Sequence, residues 1–104
     1  MGNKLLFEWD EEKNRANMVK HGIDFAVAAR VFEDDNRIEF YDLKHSEEED
    51  RYQTIGMVGR LLFVIYTERG ARIRLISARR ANAQERSLYY DSLLYFDKRP
   101  TPYP

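Results

Sequence analysis

In the first third of the chain, apolar and polar positions follow a helical period. The segment FEWDEEKNRANMVKHG predicts a first helix that begins after Asp10, carries Lys20 and His21 in its last turn, and stops at Gly22. Asp24 then predicts the start of a second helix over FAVAARVFED, whose apolar residues recur every three to four positions. Because so few residues separate the two helices, we expect a corner between them.

From residue 36 the hydrophobic period changes to two, which is typical of strands. The segments NRIEFYD, RYQTIGMV, LLFVIYTE and ARIRLISA each predict a strand, and Gly59-Arg60 and Arg69-Gly70 predict the turns between the last three. The run LLFVIY is apolar at every position, so we expect a central strand that is covered on both faces. The pattern therefore predicts a four-stranded antiparallel meander.

A third helix is expected to follow the strands. Asn82 predicts its N-cap, and Glu85 lies three residues later, at the spacing of a capping box. The residues expected to pack inward are Leu88, Tyr89, Leu93 and Phe96. The predicted fold class is α+β, with two N-terminal helices, a four-stranded antiparallel meander sheet and a C-terminal helix. We expect the helices on one face of the sheet, a single domain over residues 1–96, and a proline-rich tail over 97–104.

Composition narrows the class of protein. The chain has 104 residues, of which 43% are hydrophobic, which is enough for one packed domain. It contains no cysteine, so a disulfide framework and a thiolate zinc site are excluded. The N-terminus lacks the apolar run of a signal peptide, and no stretch has the length of a membrane span. We therefore expect a soluble cytoplasmic protein with no membrane association.

Charge is distributed unevenly along the chain. Residues 1–50 carry 7 Lys and Arg against 14 Asp and Glu, whereas residues 51–104 carry 10 against 4. A basic half can attract a polyanion even when the whole molecule is close to neutral. The other interpretation, that the two halves neutralise each other across the fold, is slightly favoured by composition alone.

The last predicted strand, RIRLISARR, concentrates arginines. Arg72 and Arg74 lie about 6.6 Å apart on one side of the strand, opposite the aliphatic positions. Arg79 and Arg80 follow the regular part of the strand, where a turn would aim both at one site. Two interpretations stay open: a solvated strand face with salt bridges, or contact with the phosphates of a polyanion.

Proton-transfer chemistry has four candidates. Lys20 and His21 lie at a helix C-terminus, where the helix dipole favours cations by about 0.3–1 kcal/mol, yet histidine is also suited to proton transfer near neutral pH. Glu85 and Tyr89 share one helical face and are either a proton acceptor and donor or a cap and a core aromatic. His45 lies in an acidic loop and is expected to be solvated. Neither histidine has a partner at metal-ligand spacing, so we predict no metal site and no cofactor.

Four segments, WDEEKNRANMVKHGIDF, RYQTIGMVGR, VIYTERGARIRLISARRA and ERSLYYD, together resemble the BrnT family of toxins from type II toxin–antitoxin systems. The motifs are K-H-G, Y-T-x-R, R-I-x-x-I-S-A-R and E-R-x-x-Y, which are weak one by one and specific in combination. The third motif here contains Leu75 and is followed by a second arginine, Arg80. The resemblance covers about residues 7–91.

The resemblance implies a RelE-like, metal-independent endoribonuclease that is inhibited by a cognate antitoxin. That partner is typically BrnA, which binds DNA, and we expect a heterotetrameric complex. Carried over by motif, the candidate catalytic residues are Lys20, His21, Arg69, Arg79, Glu85 and Tyr89. The candidate RNA-binding residues are Arg51, Arg72, Arg74, Arg80 and Arg86. The alternative function is a non-catalytic binding module in a transcriptional repressor complex.

These candidate residues suit RNA cleavage because RNA supplies its own nucleophile, the 2′-hydroxyl. The protein must accept that proton, stabilise charge on the phosphorus oxygens and protonate the leaving 5′-oxygen. Fixed arginine donors suit the second task and contribute about 2.7–4 kcal/mol each, and a proton-transfer group adds about 10²–10⁴-fold. The hypothesis is that positive charge converges on one phosphate at the end of the last strand.

Overall fold

A computed structural model describes residues 5–95 as one five-stranded mixed sheet with helices on both faces. The elements, in chain order, are β1 (Leu6–Glu8), α1 (Glu11–His21), α2 (Phe25–Ala28), a 3₁₀ turn (Ala29–Glu33), β2 (Ile38–Tyr41), a second 3₁₀ turn (Leu43–His45), β3 (Arg51–Val58), β4 (Arg60–Arg69), β5 (Arg72–Arg80) and α3 (Ala83–Tyr95). Among residues 5–95, none of the helices reaches the length and hydropathy that a membrane crossing requires.

The strand order across the sheet is β1-β5-β4-β3-β2. Strands β2 to β5 form the predicted antiparallel meander, and β4, with the apolar run, is its buried centre. The prediction of four strands was wrong, because β1 adds a fifth that pairs in parallel with β5, from Leu6 opposite Arg72 to Glu8 opposite Arg74. A strand of three residues is too short to show a recognisable alternation of apolar and polar positions. The sequence pattern therefore placed residues 6–8 in the segment that leads into the first helix.

Both faces of the sheet are covered, at least in part. On what we call the first face, residues of α2 and the adjacent 3₁₀ turn, including Phe25, Val31 and Phe32, form a core with β4 and β5. On the second face, α3 covers a smaller cluster made of Ile55, Leu61, Phe63, Ala81 and Tyr89. The prediction of helices on one face only was therefore wrong, because α3 packs on the face opposite to α2.

A β-bulge in β5 decides where its arginines point. Ile65 of β4 pairs with Ser77, whereas the next residue of β4, Tyr66, pairs with Leu75, so that Ile76 is an extra residue in β5. Side chains alternate along a strand, and Arg74 and Arg79 would face opposite sides without the bulge. With it, both lie on the second face. Arg80 lies on the other side because β5 continues through it, so the expected turn that aims Arg79 and Arg80 together is absent.

Helix α1 has the predicted ends but an unexpected buried side. Asp10 accepts hydrogen bonds from the N–H groups of Glu12 and Lys13, and Gly22 ends the helix with a φ of 70°. Its buried residues are Asn14 and Asn17 rather than apolar ones. The helix is thus attached to the sheet through hydrogen bonds.

Asn17 completes an open edge of β5. Its side-chain oxygen accepts from the Ala78 N–H at 3.0 Å, and its amide donates to the Ala78 carbonyl at 2.9 Å and to the Ile23 carbonyl at 2.9 Å. Because β1 pairs only with residues 72–74, the Asn17 amide supplies the hydrogen bonds that another strand would give Ala78. Ala78 is the residue before Arg79, so this contact holds the backbone beside that arginine.

Helix α3 starts as predicted. The Asn82 side chain accepts from the Glu85 N–H at 2.8 Å, and Glu85 accepts from the Asn82 N–H at 2.9 Å, which is a complete capping box. Tyr89 is buried and Leu93 is partly buried, as expected, but Leu88 is 45% exposed and does not pack inward. Phe96 and the predicted tail over 97–104 lie outside the described residues.

Candidate functional site

The second face has a part that α3 leaves open, which we call the open second face. Strand pairing places Arg51, Thr67, Arg74 and Glu8 side by side in one row, with Arg69 and Arg72 in a neighbouring row. Arg79 lies four residue intervals further along, opposite Phe63, which is about 13 Å from the row of Arg74. The arginines therefore form a track across the face. The hypothesis that they converge on one phosphate was wrong, because β5 continues through Arg80 and spreads the arginines along the strand.

Arg79 is the most tightly organised cation of this face. Its Nη1 and Nη2 donate to the two carboxylate oxygens of Glu85, each at 2.8 Å, and Nη1 also donates to the Arg80 carbonyl at 3.1 Å. The guanidinium lies over the Phe63 ring, 4.2 Å from its centroid. Three of the five guanidinium N–H groups are thus used. The Nε–H and one Nη2–H have no partner within residues 5–95, and together they form a two-donor edge of the kind that binds phosphate.

Glu85 is held as a carboxylate. Burial alone would raise the pKa of Glu85, but the hydrogen bonds from Arg79 and from the Asn82 N–H, with the charge of Arg79, lower that pKa below its usual value. A carboxylate with a lowered pKa is a weak proton acceptor. Since Glu85 is bonded to both Arg79 and the helix cap, the geometry favours an orienting role for it.

Tyr89 belongs to the core beneath α3. It is 4% exposed, and its hydroxyl donates to Asp34 at 2.7 Å; the same carboxylate oxygen accepts the Met57 N–H at 2.8 Å. Burial and the hydrogen bond to Asp34 raise the pKa of Tyr89. A buried phenol that already donates to a carboxylate is poorly placed to give its proton to a substrate.

Acidic residues from the N-terminal half pair with three arginines of the open second face. Glu8 lies 2.8 Å from Arg74 and 3.9 Å from Arg72, and Glu49 lies 3.2 Å from Arg69. The interpretation that the two halves of the chain neutralise each other thus applies to these three arginines. The carboxylate of Glu8 thus contacts both Arg72 and Arg74.

The remaining candidates are dispersed. Lys20 and His21 lie in the last turn of α1, which packs against β5, and neither side chain forms a hydrogen bond or ion pair within residues 5–95. Arg86 is exposed and donates to the Ala81 carbonyl at 2.9 Å, at the start of α3. Arg51 lines a cavity of about 290 Å³ at the start of β3. Fold and sheet register bring Arg51, Arg69, Arg72, Arg74 and Arg79 to one face, while Lys20, His21 and Arg80 lie elsewhere.

Sequence reasoning missed a histidine–carboxylate pair whose histidine, His45, lines the same cavity. The Nδ1 atom of His45 lies 3.1 Å from each carboxylate oxygen of Asp42, which is 3% exposed. The available signal was the spacing D-x-x-H, which places both residues on one side of a helical turn. Elsewhere, within residues 5–95, no three His, Cys, Asp or Glu side chains are grouped closely enough to hold a metal ion.

Comparison with known proteins identifies the class to which this fold belongs, the small toxins of toxin–antitoxin systems. A family model described as the ribonuclease toxin BrnT of type II toxin–antitoxin systems matches residues 9–85. The chain therefore belongs to the BrnT family, as the resemblance predicted. A crystal structure of the Brucella abortus ribonuclease toxin BrnT is similar, with a TM-score of 0.60 and 27% identity, covering 76% of this chain and 99% of that one. No curated protein matches the sequence.

Proposed function

We propose that this protein is a metal-independent endoribonuclease toxin, which cleaves RNA by attack of the 2′-hydroxyl on the adjacent phosphate. Membership of a ribonuclease toxin family supports RNA as the substrate. The observation that carries the proposal is the free two-donor edge of Arg79 on the open second face, in line with four further arginines. Metal ions have no part in the proposal, because guanidinium groups supply the positive charge that the reacting phosphate needs.

The spacing of the arginines supports binding along an RNA backbone. Adjacent phosphates of a single strand lie roughly 6–7 Å apart, so the distance of about 13 Å between Arg74 and Arg79 spans about two phosphate intervals. Arg51, Arg69 and Arg72 extend the same track at the end remote from Arg79. RNA bound here displaces Glu8 and Glu49 from their arginines.

The reaction needs few protein groups. The 2′-oxygen loses its proton and forms a bond to phosphorus, the bond from phosphorus to the 5′-oxygen breaks, and that oxygen takes up a proton. The products are a 2′,3′-cyclic phosphate and a 5′-hydroxyl.

The candidate residues have different roles in this proposal. Arg79 binds a negatively charged phosphate, and Glu85 fixes the orientation of the Arg79 guanidinium. Lys20, His21 and Arg86 remain in the proposal through their positions in the family motifs. Arg80 remains as a candidate RNA-binding residue that follows the third motif, and Tyr89 as the core contact that holds α3.

A cognate antitoxin is the second part of the proposal. Type II toxins are paired with an antitoxin, and an inhibitor of this chain would cover the open second face with acidic or apolar segments. A BrnA-like, DNA-binding partner in a heterotetramer, acting in the cytoplasm, fits this scheme.

The alternative function is a non-catalytic module that binds nucleic acid or a partner protein in a repressor complex. The ion pairs of Arg69, Arg72 and Arg74 favour it, because they reduce the positive charge offered to RNA. Such a module would bind RNA or a partner without cleaving the RNA.

The two functions separate in one experiment. Purified protein is incubated with a mixed-sequence RNA and a chelator of divalent cations, and the product ends are identified by mass spectrometry. We expect cleavage that leaves 2′,3′-cyclic phosphates, and none in an oligonucleotide whose riboses all lack the 2′-hydroxyl. Cleavage that requires a divalent cation would contradict the mechanism, and binding without cleavage would establish the alternative.

A further inference from the structure

We infer that His45 accepts the proton of the attacking 2′-hydroxyl, with Asp42 orienting its ring and Arg51 binding the reacting phosphate. The inference rests on the proposed ribonuclease function and places the chemistry within it. It starts from the cavity of about 290 Å³ that Lys44, His45 and Arg51 line together with Glu47, Glu48 and Glu49.

The imidazole of His45 is fixed in one tautomer by its partner. Asp42 is 3% exposed, and both of its carboxylate oxygens lie 3.1 Å from Nδ1 of His45. Because a carboxylate only accepts hydrogen bonds, Nδ1 of the neutral imidazole carries the proton, and Nε2 then has the lone pair. The side chain of His45 is 54% exposed. A ring whose Nδ1 is held by a buried carboxylate, with a free Nε2, has the arrangement of a general base.

The backbone around this pair is held firmly to β3. The Asp42 N–H donates to the Arg51 carbonyl at 2.8 Å, and the Ser46 hydroxyl donates to the Asp42 carbonyl at 2.6 Å. The Arg51 N–H in turn donates to the Ser46 hydroxyl at 2.9 Å. Asp42, His45 and Arg51 therefore keep a fixed relation to one another, which a proton-transfer site requires.

Arg51 and Arg69 supply the charge at this end of the open second face. Arg51 lies at the start of β3 and lines the cavity, while Arg69 lies in the row next to the one that contains Arg51. Glu49 is bound to Arg69 at 3.2 Å. Glu47 and Glu48 also line the cavity, so binding of a phosphate there depends on the positive charge of Arg51, Arg69 and Lys44.

In the proposed step, Nε2 of His45 takes the proton of the 2′-hydroxyl. The electron pair left on the 2′-oxygen forms the new bond to phosphorus, and the bond from phosphorus to the 5′-oxygen breaks with its pair on oxygen. That oxygen takes a proton from water, and the imidazolium returns its proton to solvent. The products are the 2′,3′-cyclic phosphate and the 5′-hydroxyl.

The other candidate bases are less suited to this step. Glu85 is bound by Arg79 through both oxygens, and Tyr89 donates its proton to Asp34. His21 has no partner within residues 5–95 that would orient its ring. Strand geometry places Arg79 about 16 Å from Arg51, so Arg79 binds a phosphate two or three nucleotides from the bond that is cut.

The experiment compares His45→Asn with Leu43→Asn, a control in the same turn at a side chain that is 82% exposed. The amide introduced by His45→Asn keeps the hydrogen bond to Asp42 but offers no counterpart of Nε2. Cleavage of RNA is followed with enzyme in excess, and thermal unfolding is measured alongside. We expect His45→Asn to lower the maximal cleavage rate by about 10²–10⁴-fold with an unchanged melting temperature, and Leu43→Asn to cleave at the wild-type rate.

Two further variants test the roles directly. Added imidazole should restore part of the activity of His45→Ala, which a loss of structure would not allow. Asp42→Asn, which removes the orienting charge, should lower the rate less than His45→Asn and should not respond to imidazole. If the wild type cleaves RNA and His45→Asn does so equally fast, or if imidazole does not restore His45→Ala, the assignment of His45 is wrong while the ribonuclease function stands. If the wild type cleaves no RNA, both proposals fail.

Discussion

The guanidinium of Arg79 and the carboxylate of Glu85 are joined by two hydrogen bonds of 2.8 Å, one to each oxygen. One of those oxygens also accepts the Asn82 N–H that caps α3. Formation of the first turn of α3 and orientation of Arg79 are therefore coupled. A charged fork of this kind is stronger and more directional than a neutral hydrogen bond.

Replacement of Glu85 by Gln should separate these two roles. The glutamine carbonyl can still accept the Asn82 N–H, but the side chain offers Arg79 no second acceptor and no charge. We expect RNA cleavage to fall by about tenfold, which corresponds to about 1.4 kcal/mol. Glu33→Gln is the matched control, since Glu33 forms only a surface ion pair with Arg30 at 3.8 Å. Equal activity of both variants would show that Arg79 does not depend on Glu85.

Glu85 should also make stability depend on pH. Its pKa is lowered in the folded protein, so its carboxylate stabilises the fold above the usual value of 4.5, and this contribution is lost as the pH falls through the lowered value. The difference in melting temperature between wild type and Glu85→Gln should be largest above pH 4.5 and shrink below it. A difference that stays constant from neutral pH to about pH 3 would contradict the assignment.

Tyr89→Phe should affect stability and spare catalysis. It removes the hydrogen bond to Asp34, and we expect a loss of about 1.5–3 kcal/mol in the free energy of unfolding, with RNA cleavage unchanged at temperatures where the variant is folded. Because the pKa of Tyr89 is raised from 10.0, its contribution is present below pH 10 and is lost as the pH rises further. Denaturant unfolding at neutral pH and above pH 10 measures both effects. A Tyr89→Phe variant that is as stable as wild type but inactive would contradict this prediction and would show that the Tyr89 hydroxyl acts in catalysis.

Asn17→Ala should weaken the attachment of α1 to β5. The substitution leaves the buried N–H and C=O of Ala78 without their side-chain partner, and we expect a cost of about 2–4 kcal/mol. Asn36→Ala, at an exposed position, serves as the control and should stay within about 0.5 kcal/mol of wild type. A similar small effect at Asn17 would mean that water replaces the amide at the edge of β5.

Glu8→Gln should increase RNA binding. The Glu8 carboxylate lies 3.9 Å from the Arg72 guanidinium and 2.8 Å from that of Arg74, and it partly neutralises both. Glu8→Gln removes this negative charge. We expect tighter binding at low salt and a plot of log affinity against log salt that is steeper by about one unit. Titration of a fluorescent, non-cleavable RNA analogue at several salt concentrations measures this. An unchanged slope would place the RNA away from these arginines.

The parts of the fold that short-range patterns specify could be predicted. Asp10, Gly22, Asn82 and Glu85 act within a few residues of their partners, so helix ends could be recognised from the sequence. The bulge at Ile76, the strand β1 and the contact of Asn17 with Ala78 depend on pairing between distant segments, which local periodicity does not report. The same limit applies to the candidate site. Its arginines could be recognised from the sequence, but only the bulge places Arg79 on the same face as Arg74.

The central claim, that RNA is bound and cut on the open second face, is tested most directly at Arg79. The measurement is the cleavage of RNA in the presence of a chelator by wild type, Arg79→Ala and Arg30→Ala, where Arg30 is an exposed arginine next to the first-face core. We predict that Arg79→Ala weakens the apparent affinity for RNA and lowers the ratio kcat/KM by at least about tenfold, while Arg30→Ala behaves as wild type. Equal activity of Arg79→Ala and Arg30→Ala would contradict the claim.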